Sequence, residues 1–139
     1  MILLDTNVVS ELRKIGSGRA DPRVAEWDRQ QKPDLLFLSV MSLYEIEQGI
    51  LLLERRDPKQ SAVLRNWLDG TLIPAFAGRI IAVDATIAMM AARLQIPDPR
   101  PIADSLIAAT AIIHGLTIAT RNTSDFQGLP LALFNPWLA

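Results

Sequence analysis

The chain has 139 residues, half of them apolar and none of them cysteine, with 14 basic against 15 acidic side chains. That length closes one sizeable core but not two ordinary ones, so a single domain over residues 1–139 is expected. Disulfides, thiolate-held zinc and cysteine nucleophiles are excluded, and the near-neutral balance is a poor advertisement for a nucleic-acid binder taken alone.

Met1 to Leu4 runs into Asp5 with neither a basic leader nor a long apolar stretch, so no signal peptide and a soluble, cytoplasmic protein are expected. Nowhere do eighteen apolar residues run unbroken, which argues against a membrane span. Five short apolar runs bounded by turn residues, at 2–4, 35–38, 80–83, 116–119 and 131–134, predict strands buried on both faces, hence a parallel sheet covered by helices.

Helical patterns fill the intervals. A short helix is expected over 8–14. Residues 42–55 set Leu43, Ile46, Ile50 and Leu53 on one stripe at spacings of three and four, with Glu45 off that stripe beside Ser42, Gln48 and Gly49. The next helix should span 58–72, with Val63, Leu64, Trp67 and Leu68 inward. Asp84 is positioned to cap a helix carrying Ile87, Met90, Ala91 and Leu94. Pro97-Asp98-Pro99-Arg100-Pro101 reads as a stiff connection. A central, largely apolar helix over 103–114 should then stop at Gly115 in a left-handed cap. Alternating strands and helices predict a three-layer α/β/α domain, with a site beyond the carboxyl ends of the strands where their order reverses.

Four acids fall near that edge: Asp5 after the first strand, Glu45 in a helix, Asp104 opening the apolar helix and Asp125 past a later strand. Carboxylates crowded into one cleft cannot all stay ionised without a cation, and an all-oxygen set suits Mg²⁺ or Mn²⁺. With four acids so neutralised, the remaining side chains would stand 14 basic to 11 acidic. Each acid also has a structural reading: Asp5 as a helix cap, Glu45 as an exposed glutamate, Asp104 as a helix-start carboxylate and Asp125 as part of an ordinary polar loop. Thr120 and Asn122 are candidates to orient the acids, and Arg121 to meet a phosphate. The basic clusters Arg13, Lys14, Arg19, Arg23 and Arg55, Arg56, Lys59 read as solvated helix ends, with an RNA track as the other reading.

Other chemistries lack parts. His114 is the sole histidine and sits at a helix end, so paired-histidine ribonuclease chemistry is impossible. There is no glycine-rich phosphate loop and no Gly-x-Ser-x-Gly elbow. Trp27, Trp67 and Trp137 read as core rather than as base-stacking platforms. Phosphoaspartate chemistry, as in haloacid-dehalogenase-like phosphatases, wants a second aspartate where Asn7 stands and a lysine near the C-terminal strands. The last lysine is Lys59.

Ile2-Leu3-Leu4-Asp5-Thr6-Asn7, Tyr44-Glu45-Ile46-x-x-Gly49, Asp104-x-Leu106-Ile107-Ala108-Ala109-Thr110-Ala111 and Thr120-Arg121-Asn122-x-x-Asp125-Phe126, in that order, resemble the PIN-domain family. The likeness is to its VapC/FitB-type toxins of bacterial type II toxin–antitoxin pairs, and Asn135-Pro136-Trp137 shares it. The resemblance implies an α/β/α fold with a mostly parallel five-stranded sheet. It also implies an endoribonuclease using one or two Mg²⁺ or Mn²⁺ ions and a metal-activated water. Asp5, Glu45, Asp104 and Asp125 would be the metal-holding quartet, with Thr6, Asn7, Thr120, Arg121 and Asn122 in support. Whether Asn122 or Asp125 approaches the metal more closely stays open. Implied partners are an RNA substrate, a cognate antitoxin that is a small DNA-binding protein, operator DNA through that complex, and a second copy in a homodimer. Leu43, Ile50, Leu51, Leu52, Leu53 and Trp67 offer apolar surface for a second chain. A non-catalytic PIN-like binding module is the alternative from another class.

Overall fold

Alternation along the strands decides the layering. Leu3 pairs in register with Phe37 and Ile118, and the three meet Ile107, Ala108 and Phe126 on one face of the sheet. Leu4, one residue on, turns to the opposite face with Leu36, Leu38 and Ala119, as successive strand side chains must. The strands are only two to four residues long, so this two-sided burial, at about 1.5–3 kcal/mol per fully covered Leu or Ile, fastens the sheet more than its ladder bonds do.

The computed structural model describes residues 1–139. Strands β1 (Ile2–Leu4), β2 (Leu36–Ser39), β3 (Ile80–Ile81), β4 (Thr117–Ala119) and β5 (Leu133–Phe134) form one sheet in the order β3-β2-β1-β4-β5. Every pairing is parallel, so the sheet goes beyond the mostly parallel one expected. On one face lie α1 (Thr6–Leu12), α2 (Pro22–Gln30), α3 (Val40–Glu54) and α4 (Pro58–Trp67). They contribute Val8 and Val9, Val24 and Trp27, and Ile46 and Ile50 to the larger core, against which Leu64 and Trp67 of α4 pack. The other face carries α7 (Ile102–His114), backed by α6 (Ala85–Arg93) through Ile87, Ala91 and Ala109. No helix is long and apolar enough to cross a membrane.

Caps explain most boundaries. Asp5 accepts from the Thr6 amide and starts α1 two residues before the expected position. Ser39 accepts from the Met41 amide and starts α3 at Val40. Asp84 accepts from the Ile87 amide, and Gly115 closes α7 at φ 65°. Three expectations need correction. Helix α2 was not foreseen, because only Val24 and Trp27 among its nine residues are buried. The span 58–72 is not one α-helix: α4 ends at Trp67, a wider turn covers Leu68–Leu72, and the short α5 (Ile73–Ala75) follows. Gly70 weakens the helix there, and Pro74 brings no amide to continue it. Val63 points outward, 55% exposed, while Leu64, Trp67 and Leu68 face in. Of the apolar residues offered for a second chain, Ile50 is core, whereas Leu51 and Leu52 are exposed.

Candidate active site at the carboxyl edge of the sheet

The chain leaves β1 toward β2 on one side while β4 docks on the other, so the order reverses between β1 and β4. Ligand crevices form at such points. Ladder bonds continue one residue past both strands: the Asp5 amide donates to Ala119 O and the Thr120 amide to Phe134 O, each at 2.9 Å. Asp5 and Thr120 therefore stand on the sheet itself, not on loops.

Asp5 is buried, and both its oxygens are engaged. Oδ1 accepts from the Thr6 amide at 2.8 Å, and Oδ2 accepts from Thr120 Oγ1 at 2.8 Å and Asn7 Nδ2 at 3.3 Å. Thr120, wholly buried, in turn accepts from the Asn122 amide at 3.0 Å. Asn7 Oδ1 accepts from the Arg121 amide at 3.1 Å, tying the β1 and β4 mouths together. Burial pushes the Asp5 carboxyl above its ordinary range, and the charge of Asp125 adds to the rise. The bonds from Thr120, Thr6 and Asn7 pull the other way.

Thr6 carries the network to α3. Its hydroxyl donates to Glu45 Oε1 at 2.6 Å and lies 2.9 Å from Ser42 Oγ. With its one hydrogen committed to Glu45, it receives the Ser42 hydrogen. Asp104 sits in the first turn of α7. Its carboxyl is pushed up to about 6, first by burial and then by the charges of Asp5, Asp125 and Glu45, with Arg100 opposing. The charges of all three other acids reach Asp104, and Thr6 links Asp5 to Glu45 by hydrogen bonds, but no three of the acids stand close enough to form a ready ligand group. Asp125 is exposed in the 3-10 turn Thr123–Phe126, which the buried Phe126 anchors.

The supporting residues divide. Thr6, Asn7 and Thr120 bond directly to the acids. Asn122 reaches them only through its backbone amide on Thr120. The Arg121 guanidinium lies over the Trp137 ring, 5.2 Å from its centre. One site residue escaped sequence reasoning: Arg100, whose Nη1 donates to Asp125 O at 3.4 Å and whose buried Nε has no partner. Its signal was a cation four residues before Asp104, masked by the surrounding prolines.

A family model described as PIN domain matches residues 2–129. The chain belongs to the PIN domain family. This PIN domain is 37% identical to the VapC ribonuclease Y4jK of Sinorhizobium fredii, covering 99% of this chain and 98% of that one. It is 38% identical to the toxin FitB of Neisseria gonorrhoeae, covering 99% of each. The crystal structure of FitAcB from Neisseria gonorrhoeae superposes with a TM-score of 0.88 at 36% identity over the whole of both chains. The α/β/α fold with five parallel strands is thus shared.

In this PIN domain the donor set is entirely oxygen, with no cysteine in the chain and the sole histidine at the far end of α7. The upward shifts of Asp5 and Asp104 come first from burial and then from neighbouring acids, with Arg100 offsetting part of the rise at Asp104. No three acidic or histidine side chains converge tightly enough to form a ready-made ligand shell. Thr6 links two of them, its amide donating to Asp5 and its hydroxyl to Glu45. Such a mouth fits Mg²⁺ or Mn²⁺ better than Ca²⁺ or Zn²⁺, because Mg²⁺ is usually held by one or two carboxylates and keeps several waters.

Proposed function

We propose that this chain, as one PIN domain, is a divalent-metal-dependent endoribonuclease acting as the toxin of a bacterial toxin–antitoxin pair. What supports the reading is the Asp5–Thr6–Glu45 hydrogen-bond chain at the carboxyl edge of the sheet, with Asp104 in the field of the other acids, in a chain 37% identical, end to end, to a VapC ribonuclease. Similarity to the toxin FitB supports the toxin role and a cognate antitoxin as partner. Asp5, Glu45, Asp104 and Asp125 would hold Mg²⁺ or Mn²⁺. When bound, the ion supplies Lewis-acid charge on the phosphodiester and lowers the pKa of a water.

The chain's own groups do the rest. Thr120, Thr6 and Asn7 hold the Asp5 carboxylate in one orientation, as a hydrolytic site must hold its acids before substrate arrives. Thr6 fixes Glu45. Asp104, whose carboxyl titrates near 6, would hold the cation in its ionised form. Arg100, whose charge acts on Asp104, would meet an oxygen of the cleaved phosphate. Outside the mouth, Leu51 and Leu52 on α3, and Met89, Ile96 and Ile102 about the α6–α7 end, leave apolar side chains exposed. These are the surfaces offered to a second copy and to an antitoxin, which would carry operator DNA.

Purified chain free of antitoxin is expected to cut RNA in Mg²⁺ or Mn²⁺, to stop in chelator, and to lose at least 100-fold in rate as Asp5→Asn or Asp104→Asn, on the order expected when a site loses transition-state charge stabilisation. Cleavage indifferent to chelator and to both substitutions would overturn the reading. The looseness of the carboxylate set favours, as a second reading, a binding module without turnover. That module would bind RNA or antitoxin and show no metal-stimulated cleavage.

A further inference from the structure

Two basic residues that read as solvated helix ends open instead onto a groove continuous with the acid mouth. The groove, about 280 Å³, is walled by Thr6 of α1 and Arg13 just past its end and by Glu45, Gly49 and Arg56 along α3 and just past its end, over an apolar floor of Ile46, Ile50, Leu53, Leu64 and Trp67. Thr6 and Glu45 are also the hydrogen-bonded pair of the site. Both helices start at the carboxyl edge and run back from it, so the groove leads away from the carboxylates along two parallel walls. Arg13 lies seven residues from Thr6, about 10 Å along the axis at 1.5 Å per residue. That is the length of roughly three stacked nucleotides at 3.4 Å each.

The charges in this groove are free. Lys14 and Arg23 from the same sequence cluster are held by Glu11 and Asp21, but neither Arg13 nor Arg56 has an acidic partner. The Arg13 guanidinium lies 6.0 Å from the Trp67 ring centre, so a planar cation and an indole sit at one end of the cavity. At Gly49 an added Cβ would meet nothing within 4 Å, so that wall is open. A strand whose scissile phosphate rests at the mouth and whose backbone continues into this space would bring its phosphates to unpaired positive charge.

We infer that the α1–α3 groove is the RNA-positioning track of this protein, with Arg13 and Arg56 clasping phosphates on one side of the cleavage point and Trp67 backing the Arg13 guanidinium. This rests on the ribonuclease reading and adds to it which residues align the strand. They are positioning residues, acting on substrate distant from the reacting atoms.

The test is binding of a fluorescent single-stranded RNA to metal-free wild type and to an Arg13→Gln/Arg56→Gln double variant, by anisotropy across a salt series. Glutamine keeps the aliphatic stem over Trp67. The double variant is expected to bind at least tenfold more weakly, with the slope of log affinity against log salt reduced by about 1.4, two phosphate contacts at about 0.7 each. In Mg²⁺ its loss should fall on KM more than on kcat, and the Arg13→Lys/Arg56→Lys variant should recover most of the binding. Equal affinity and equal slope in the folded double variant would overturn the track and leave the groove to a protein tail. If wild type binds RNA through these residues but never cleaves it, the ribonuclease reading fails and the track stands.

Discussion

Asp104 and Thr120 show how single residues set the behaviour of the mouth. The Asp104 carboxyl titrates near 6 in the metal-free fold against an ordinary value of 3.8, so protonation favours the folded state. That contribution is complete below about pH 3.8 and is lost as pH rises through about 6. Asp5 and Asp28, also raised, act with the same sign. Glu11 and Glu47, held low by their partners, act oppositely but only below the ordinary glutamate range. Urea denaturation in chelator should therefore show a loss of stability from pH 5 to pH 7.5 that Asp104→Asn flattens. A pH trend unchanged in Asp104→Asn would contradict that assignment. Thr120→Val keeps shape but removes the bond to Asp5 Oδ2, at a cost of about 1–3 kcal/mol for a hydrogen bond to a buried charged group. The same denaturation experiment measures it, and cleavage should fall with it. Asp5 and Asp104 were legible in the sequence because one ends an apolar run and the other opens one. Arg100 was not, since its value comes from the approach of residues 100 and 125, which no local pattern encodes.

Among elements, α7 was the most legible and α2 the least. The apolar run from Ile102 and the stop at Gly115 leave little freedom, and Gly115 does adopt the left-handed conformation. Gly115→Ala should cost about 1–2 kcal/mol, measured as a lower denaturation midpoint, while leaving the distant mouth and its metal response intact. Helix α2 was hidden because two buried residues in nine make no periodic signal, although Asp21 and Pro22 form a good cap. Val63 was misplaced because α4 leans on α3 along Leu64, Trp67 and Leu68, and a pattern of apolar residues does not say which neighbour a helix will meet. The break after Trp67 is likewise a compromise between local sequence and packing, since Leu68 and Leu72 must both reach the core.

For the molecule as a whole, the order β3-β2-β1-β4-β5 brings residues as far apart in sequence as Asp5 and Thr120 into hydrogen-bond contact. Alternating strands and helices made the three layers predictable, and short apolar runs made the sheet parallel. The crevice followed from where the order reverses. The geometry adds a groove that connects this crevice to free positive charge, which net charge near zero concealed. If the four acids form one divalent-cation site, calorimetric titration of Mn²⁺ into the chelator-treated protein will register it. Saturable binding of one or two ions is predicted for wild type, weakening about tenfold per pH unit below pH 6 as Asp104 takes up its proton, and absent in Asp5→Asn and Asp104→Asn. No binding by wild type, or binding that survives both substitutions in folded protein, would contradict it.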